Sequence, residues 1–451
     1  MKIREFKERV FAAGAKAGLK DMEIYVSRSQ ISTVRVFESE IDDYSVSDAG
    51  GVGFRARYGG KVGYSYVEAL DEASVELLTS GAKANAQIID SDDEVFFFGG
   101  SPSYPEVEAF NTKLKDVSTE ERIEYAKKLE AAALEADSRV SMVNYAVTGV
   151  SEEEVYLANT KGLERSFVKN GAYSFVAAVI RDGEEVRTGG KLIFSNDWGK
   201  FDAEKQAREA VAEGVSLLKA QTVNSGNYRT LFRYDVAREI LQTFASVFSA
   251  QQVQRGLSLL EGKLGRKIAV PQLTLVDDPL MPHGGASMPF DGEGVAAKTK
   301  NVIEQGHLKT FLHNLKTAKK DGLESTGNAH RFSFKSPIGI APANFYIKPG
   351  GRSYTDLIAD LDNGLIIIDV QGLHSGADPV SGDFSLGAYG YLVEKGRIAR
   401  PVDQITVAGN FFELLETVEE IGSDLEFGAP GYGGQIGSPS LLVENMAIAG
   451  S

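Results

Sequence analysis

The residues of this 451-residue chain that could do chemistry are few. Cysteine is absent, which removes thiolate nucleophiles, a disulfide framework and cysteine metal ligands together. The five histidines are His283, His307, His313, His330 and His374. None forms an HExxH pair, and no two stand three or four residues apart on a helical face. His307 and His313 lie six apart in HLKTFLHN, on one side of a strand, where exposure or bonding to neighbours accounts for both. No G-x-S-x-G elbow occurs, and Leu257 replaces the first glycine of a phosphate loop before Gly262-Lys263. Asp277–Asp278 and the cluster Asp291, Glu293 could hold a divalent cation, but without a fixed ligand spacing they read as solvated turn carboxylates. The densest stretch is Gly372-Leu-His-Ser-Gly-Ala-Asp-Pro-Val-Ser-Gly-Asp-Phe-Ser-Leu-Gly387. It brings His374, Asp378, Asp383, Ser375 and Ser381 among Gly372, Gly376 and Gly382, directly after the apolar run Leu365–Val370. Loops that follow buried strands often carry ligand sites, and glycines let backbone N–H groups converge. The same composition also suits a tight loop whose Ser and Asp side chains satisfy their own backbone. The run Gly428–Gly437 is similar, but Tyr432 is its only titratable group, and it reads as flexible.

The elements that must carry these residues fall into three blocks. In the first, Ile3, Phe6, Val10, Ala13 and Ala17 mark a helix ended by Gly18. Strands follow at Glu23–Ser27, Ser32–Glu38 and Val52–Tyr58, then a helix capped by Asp71. Segment 90–117, with Asp90, Asp92, Asp93 and Glu94, reads as an acidic linker pinned by Phe96–Phe98. In the second, Ser118 and Glu121 make a capping box for a helix to about Ala136. Strands then come near Val140–Val147, Glu154–Asn159, Arg165–Lys169 and Ala172–Arg181, and Asp202 caps a closing helix. Both blocks run helix, strands, Gly-rich turn, strand, helix, with Gly63-Tyr-Ser-Tyr answering Lys191-Leu-Ile-Phe, which suggests an internal duplication. From Ser225 the third block shows one helix over Arg238–Val253, two more at Ser353–Leu361 and Asn410–Ile421, and many short apolar runs punctuated by glycine. The fold class expected is α+β: two small helix-plus-sheet units (1–100 and 110–220), then a larger, mainly antiparallel β domain (225–451).

A net charge of −15 and a pI near 5.0 argue against binding the nucleic-acid backbone, which needs a basic face. No run reaches the roughly 18–20 apolar residues of a membrane span, and the charged N-terminus does not resemble a signal peptide. A cytoplasmic location is the expectation.

Beyond these readings, four segments resemble the TldD/PmbA family: 288–299 (MPFDGEGVAAKT), 308–320 (LKTFLHNLKTAKK), 372–410 and 439–450. The resemblance implies a peptide-processing or peptide-degrading metalloprotease, with a DNA-gyrase-modulator label also in use. It implies that TldD-type members hold zinc through the two histidines of an H-E-x-x-x-H helix and a cysteine in a Gly-rich loop. The corresponding helix here, 237–254, has Glu239 but no histidine, and the corresponding loop has Tyr432 or Gly433 near the cysteine position. The chain thus resembles the PmbA/TldE type, with no cofactor of its own and zinc in a TldD-like partner. That partner, or a second copy, and a peptide substrate are the partners implied. Two alternatives stand beside it: a self-sufficient hydrolase with a divergent metal site at His374, Asp378 and Asp383, and a protein-binding modulator of a DNA-handling enzyme.

Overall fold

The computed structural model describes residues 1–90, 94–431 and 433–450. Asp92 and Asp93 of the acidic linker, and Tyr432, lie outside the described residues.

The N-terminal part uses one plan twice. Helix α1 (Ile3–Lys16) leads into β1 (Lys20–Phe37), β2 (Glu40–Tyr58), β3 (Lys61–Val67) and α2 (Glu72–Ile88). Helix α3 (Thr119–Ala136) leads into β4 (Val140–Asn159), β5 (Glu164–Asp182), β6 (Glu185–Ser195) and α4 (Ala203–Ser216). The capping residues sit where the sequence places them: Asp71, Ser118 with Glu121, and Asp202 each accept an N–H of the first turn. The six strands join in one antiparallel sheet, ordered β3-β2-β1-β4-β5-β6, so the two units meet edge to edge along β1 and β4.

Each unit also needs a glycine where its closing helix crosses its last strand. A Cβ on Gly63 would lie 1.8 Å from the Ala82 carbonyl of α2, and one on Gly189 would lie 1.9 Å from the Ala210 carbonyl of α4. Gly189, not Lys191, is therefore the counterpart of Gly63, and the extra turn Trp198–Lys200 lengthens the second unit before its helix. The gaps expected within β1, β4 and β5 do not exist. The polar middles of β1 and β4 remain strand because neighbours on both sides complete the ladder, Asn170 and Gly171 of β5 are carried by pairing with β4, and Arg28 and Gln30 bond Asp48 across the solvated stretch. All four helices cover one face, over Phe6, Phe54 and Leu78 in the first unit and Leu129, Val176 and Ile180 in the second.

The C-terminal part is the larger, mainly antiparallel β portion. Its elements are β7 (Gly226–Phe232), α5 (Tyr234–Phe244), α6 (Ala250–Gln254), β8 (Leu275–Asp277), β9 (Lys300–Glu304), β10 (His307–Leu308) and α7 (Leu315–Lys320). Then come β11 (Ala329–Arg331), β12 (Ile338–Ile340), β13 (Asn344–Ile347), α8 (Tyr354–Leu361), β14 (Gly364–Gln371), α9 (Leu373–Gly376) and β15 (Asp383–Glu394). The chain ends with β16 (Arg397–Asn410), α10 (Phe411–Thr417), β17 (Val418–Ile421), β18 (Glu426–Phe427), β19 (Gln435–Ser438) and β20 (Leu441–Ala449). One sheet runs β16-β15-β14-β7-β20-β17, and an extra β16–β20 pairing closes it into a barrel. A second runs β10-β9-β8-β13-β19-β18, and β11–β12 is a separate hairpin. Among the described strands parallel ladders are confined to β7–β14 and β13–β19.

Helix α5 packs among these layers, with Phe244 stacked on Phe411 at 4.7 Å. The single helix expected over Arg238–Val253 is broken. Ser249 is extended and bridges to Leu312, which drives Phe248 against Phe345 in the core. The helix expected to reach Ile421 stops at Thr417 because Val418–Ile421 pairs with β20.

Candidate functional site

Helix α5 buries Val236, Ala237, Ile240, Leu241 and Phe244, leaving a polar stripe of half-buried Asp235, Arg238, Glu239 and Thr243 with exposed Gln242. Ser246 prolongs the stripe on the following turn. On one side lies the Gly-rich run after β18: Gly428 stands so close that a Cβ would come 3.1 Å from the Arg238 Nε. Further along, Gln242, Ala245 and Ser246 share a cavity of about 330 Å³ with Gly433 and the β11–β12 hairpin, whose His330, Phe332 and Gly339–Pro342 form the facing wall. On the other side, α9 adjoins α5, and Asp369 near the end of β14 accepts a 2.6 Å bond from the Tyr389 hydroxyl.

The stripe is therefore the floor of a trough. Burial pushes the Glu239 carboxyl up to about 7, with Asp369 and Asp235 adding repulsion that Arg238 partly offsets. Burial also pushes Asp369 up, and it pushes the His330 imidazole down with help from Lys169, which favours its neutral form.

The hairpin wall is held from behind. The Glu23 carboxylate, fully buried in β1, accepts from Arg55 Nε at 2.7 Å and Nη2 at 3.1 Å, from Arg331 Nη2 at 2.5 Å and from Asn159 at 3.2 Å. Burial alone would raise its pKa, but Arg55 and Arg331 outweigh that and hold it below the usual carboxylate range. Beside this network, Phe334 lies over Gly51, where a Cβ would come 2.4 Å from the ring, and the Tyr64 hydroxyl donates to the Phe334 carbonyl. Gln242, Ser246, Arg331, Phe332 and Glu23 were not singled out from sequence, because nothing in their local pattern separates them from ordinary helix, loop and strand residues.

The other sequence candidates distribute differently. In the loop after β14, His374 is exposed on the one-turn α9, Asp378 accepts from the Val380 N–H, and Asp383 accepts from Asn410 at 2.8 Å. Ser375 turns back to the Gly372 carbonyl, Ser381 accepts from the Asp383 N–H, and the Gly382 and Gly376 N–H groups close turns within the loop. Ser375, Asp378 and Ser381 thus serve the loop's own backbone and Asp383 ties the loop to Asn410, and His374, Asp378 and Asp383 form no metal-binding group. Among the described residues no three His, Asp or Glu side chains form a metal-binding group.

Asp277, Asp291 and Glu293 are not solvated turn carboxylates, as expected, but buried brackets, while Asp278 is half-buried and accepts from the Thr299 hydroxyl. Asp277 accepts from Lys300, Asn328 and the Ala343 N–H. Asp291 accepts from three backbone N–H groups, and Glu293 accepts from the Leu315 N–H. Burial pushes both of the latter carboxyls up, and they repel each other. His307 is exposed and bonded to the Gln305 carbonyl, whereas His313 is buried, because the chain turns inward between them.

A six-stranded sheet with four helices on one face, set against a closed barrel with a helix-floored trough, defines the class. The chain matches the PmbA/TldA metallopeptidase domain 1 at 22–86, the central domain at 112–218 and the C-terminal domain at 225–450. It belongs to the PmbA/TldD metallopeptidase family. Among sequence relatives, a protein called metalloprotease PmbA homolog from Haemophilus influenzae is 29% identical over 97% of this chain and 93% of its own length. Among solved structures, a Thermotoga maritima protein described as a candidate modulator of a DNA gyrase is 33% identical with a TM-score of 0.90, covering 99% of this chain and all of that one. TldE from Thermococcus kodakarensis is 26% identical with the same TM-score of 0.90 and the same coverage. No helix among the described residues is long and apolar enough to cross a membrane.

The family name implies a metal, and the donor set on α5 does not suit one. With Glu239 on the glutamate of the H-E-x-x-x-H pattern, the histidine positions fall on Arg238 and Thr243. A guanidinium has no lone pair to give at neutral pH, and the Thr243 hydroxyl donates to the Glu239 carbonyl.

Proposed function

We propose that this chain is the PmbA/TldE-type subunit of a cytoplasmic peptidase of the TldD/PmbA kind, acting on extended peptides. It supplies a wall of the substrate chamber, while a TldD-like subunit carries the zinc and the hydrolytic step. The observation that carries this reading is the α5 stripe: the trough is intact, but Arg238 and Thr243 stand where the metal ligands would be. A chain of this kind has a use only beside another, so its working assembly is a dimer, with a TldD-like subunit or a second copy as the partner. Loop 372–387, adjoining α5 through α9, is assigned to the chamber rim, where Gly372, His374, Ser375, Gly376, Asp378, Ser381, Gly382 and Asp383 shape access without binding metal.

The test is a peptide-release assay. The purified chain, with or without added zinc, should give no turnover, since no group on the stripe can lower the pKa of a bound water toward ~7 as a catalytic zinc does. Adding a TldD-type subunit should give cleavage that a chelator abolishes. Chelator-sensitive cleavage by the single chain would sink the proposal.

A further inference from the structure

The cavity beside the C-terminal end of α5 has a chemistry of its own. Its described lining is apolar or neutral: Ala245, Phe332, Pro337, Ile340 and Pro342 supply the surface, and Gln242, Ser246 and His330 the polar atoms. No Asp, Glu, Lys or Arg is among the described lining residues. At about 330 Å³ it stands at the small end of the ~300–1,000 Å³ of ligand pockets, room for one or two amino-acid residues.

The wall is extended backbone with an open edge. Strand β11 pairs with β12 on one side, and its other side is closed by the turn after Phe290, where the Gly292 N–H donates to the Ala329 carbonyl at 2.7 Å. Among the described strands β12 pairs with β11 alone, so the other edge of Ile338–Ile340 has no strand beside it, while Pro337 and Gly339–Pro342 line the cavity. The wall is also held in place from behind, by the Glu23–Arg331 ion pair and the seat of Phe334 over Gly51.

We propose that this cavity is a specificity pocket that accepts an uncharged, apolar residue of an extended peptide and rejects acidic and basic ones. This rests on the chamber-wall reading above and names its substrate class. The rejection follows from solvation. A carboxylate or ammonium entering the cavity would shed water and touch no charged group of the described lining, Lys169 and Glu153 acting on His330 from outside it with opposite signs, whereas an apolar side chain would leave water for Phe332, Pro337 and Ile340. Gln242 and Ser246 remain to bond the peptide backbone, which is the same for every sequence.

The experiment uses the full chain, alone and mixed with a TldD-type subunit, with fluorescein-labelled Gly/Ser peptides carrying Leu, Phe, Lys or Glu at the centre. Fluorescence anisotropy should show the Leu and Phe peptides binding at least about tenfold more tightly (about 1.4 kcal/mol) than the Lys and Glu peptides. Gln242→Lys, on an exposed position that leaves the fold alone, should erase the preference over the Glu peptide. Phe332→Ala, removing a half-exposed ring at the mouth, should weaken the Phe and Leu peptides selectively. Equal binding of all four peptides, or a preference untouched by both variants, would overturn the pocket while leaving the chamber-wall reading standing. No binding of any peptide, alone or in the mixture, would overturn both.

Discussion

Replacing Glu23 by Gln tests whether the seam between the N-terminal sheet and the β11–β12 hairpin is held electrostatically. The Glu23 side chain has no exposed surface, and its partners Arg55 and Arg331 are 5% and 1% exposed. Gln keeps one acceptor but turns an NH₂ donor toward a guanidinium and leaves two buried cations without their bonded carboxylate, only Glu293 acting on Arg55 from farther off. Removing one partner of a buried pair costs about 3–5 kcal/mol. The rings stacked on these cations, Phe97 on Arg55 and Tyr25 on Arg331, each at 4.7 Å, return only about 0.5–2 kcal/mol apiece and are already present in the wild type.

At roughly 2–4 °C per kcal/mol for a unit of 150–250 residues, Glu23→Gln should lower the melting temperature by about 10 °C. Circular dichroism melts at low salt would measure it. The sign with pH is fixed. The folded-state pKa of Glu23 is depressed, so its contribution is fully present above the unfolded value of about 4.3 and is lost as pH falls through the folded value. The gap between wild type and variant should therefore hold from pH 6 to 8 and shrink toward pH 3. Replacing the whole group, Glu23→Leu with Arg55→Met and Arg331→Met, should cost less than the single change. A drop below about 2 °C at pH 7, or a gap that widens in acid, would refute the reasoning.

Other outcomes follow from single contacts. Gly63→Ala and Gly189→Ala each put a methyl within 2 Å of a helix carbonyl, and each should cost about 1–3 kcal/mol or more, read by urea unfolding. Ser118→Ala deletes the bond to the Glu121 N–H and should cost about 1 kcal/mol in the same assay. Glu239 should titrate near pH 7 by carboxyl carbon-13 NMR, and Asp369→Asn should lower its midpoint. Because that pKa is raised on folding, stability should decline as pH rises from about 4.3 through 7, a slope that Glu239→Gln flattens. His374→Ala and Asp383→Ala should leave the zinc content of the mixed assembly unchanged, as measured by atomic emission.

What the sequence reveals here depends on the range of the interaction involved. Asp71, Ser118, Asp202 and Ser353 cap helices because a cap acts over three residues, and their signals were readable directly. The duplicated element order was readable too, since helix and strand periods are local. The joining of both units into one sheet was not, because nothing local to β1 names β4 as its neighbour. The same limit misplaced Asp277, Asp291 and Glu293. Aspartate in a glycine-rich turn looks solvated until distant segments bring N–H groups and Lys300 around it. Loop 372–387 drew notice for its composition, yet Ser375, Asp378 and Ser381 are consumed by the loop's own backbone and Asp383 by Asn410. Gln242 and Ser246 drew none, and they matter only because that end of the stripe is exposed.

The seam between β1 and β4 also sets a timetable for synthesis. Glu23 and its neighbour across the seam, Asn159, are 136 residues apart in the chain. At about 5–20 residues per second, β1 waits on the order of ten seconds after leaving the ribosome before its second partner exists. Through that interval the nascent chain carries a long strand with one bare edge, the kind of surface on which unfinished chains join one another. The polar stretch from Arg28 to Thr33 contributes little to the finished core, but it makes that waiting edge a poor template. Apolar substitutions there should spare the stability of protein already folded and still lower the soluble yield from cells, most of all at temperatures where translation slows.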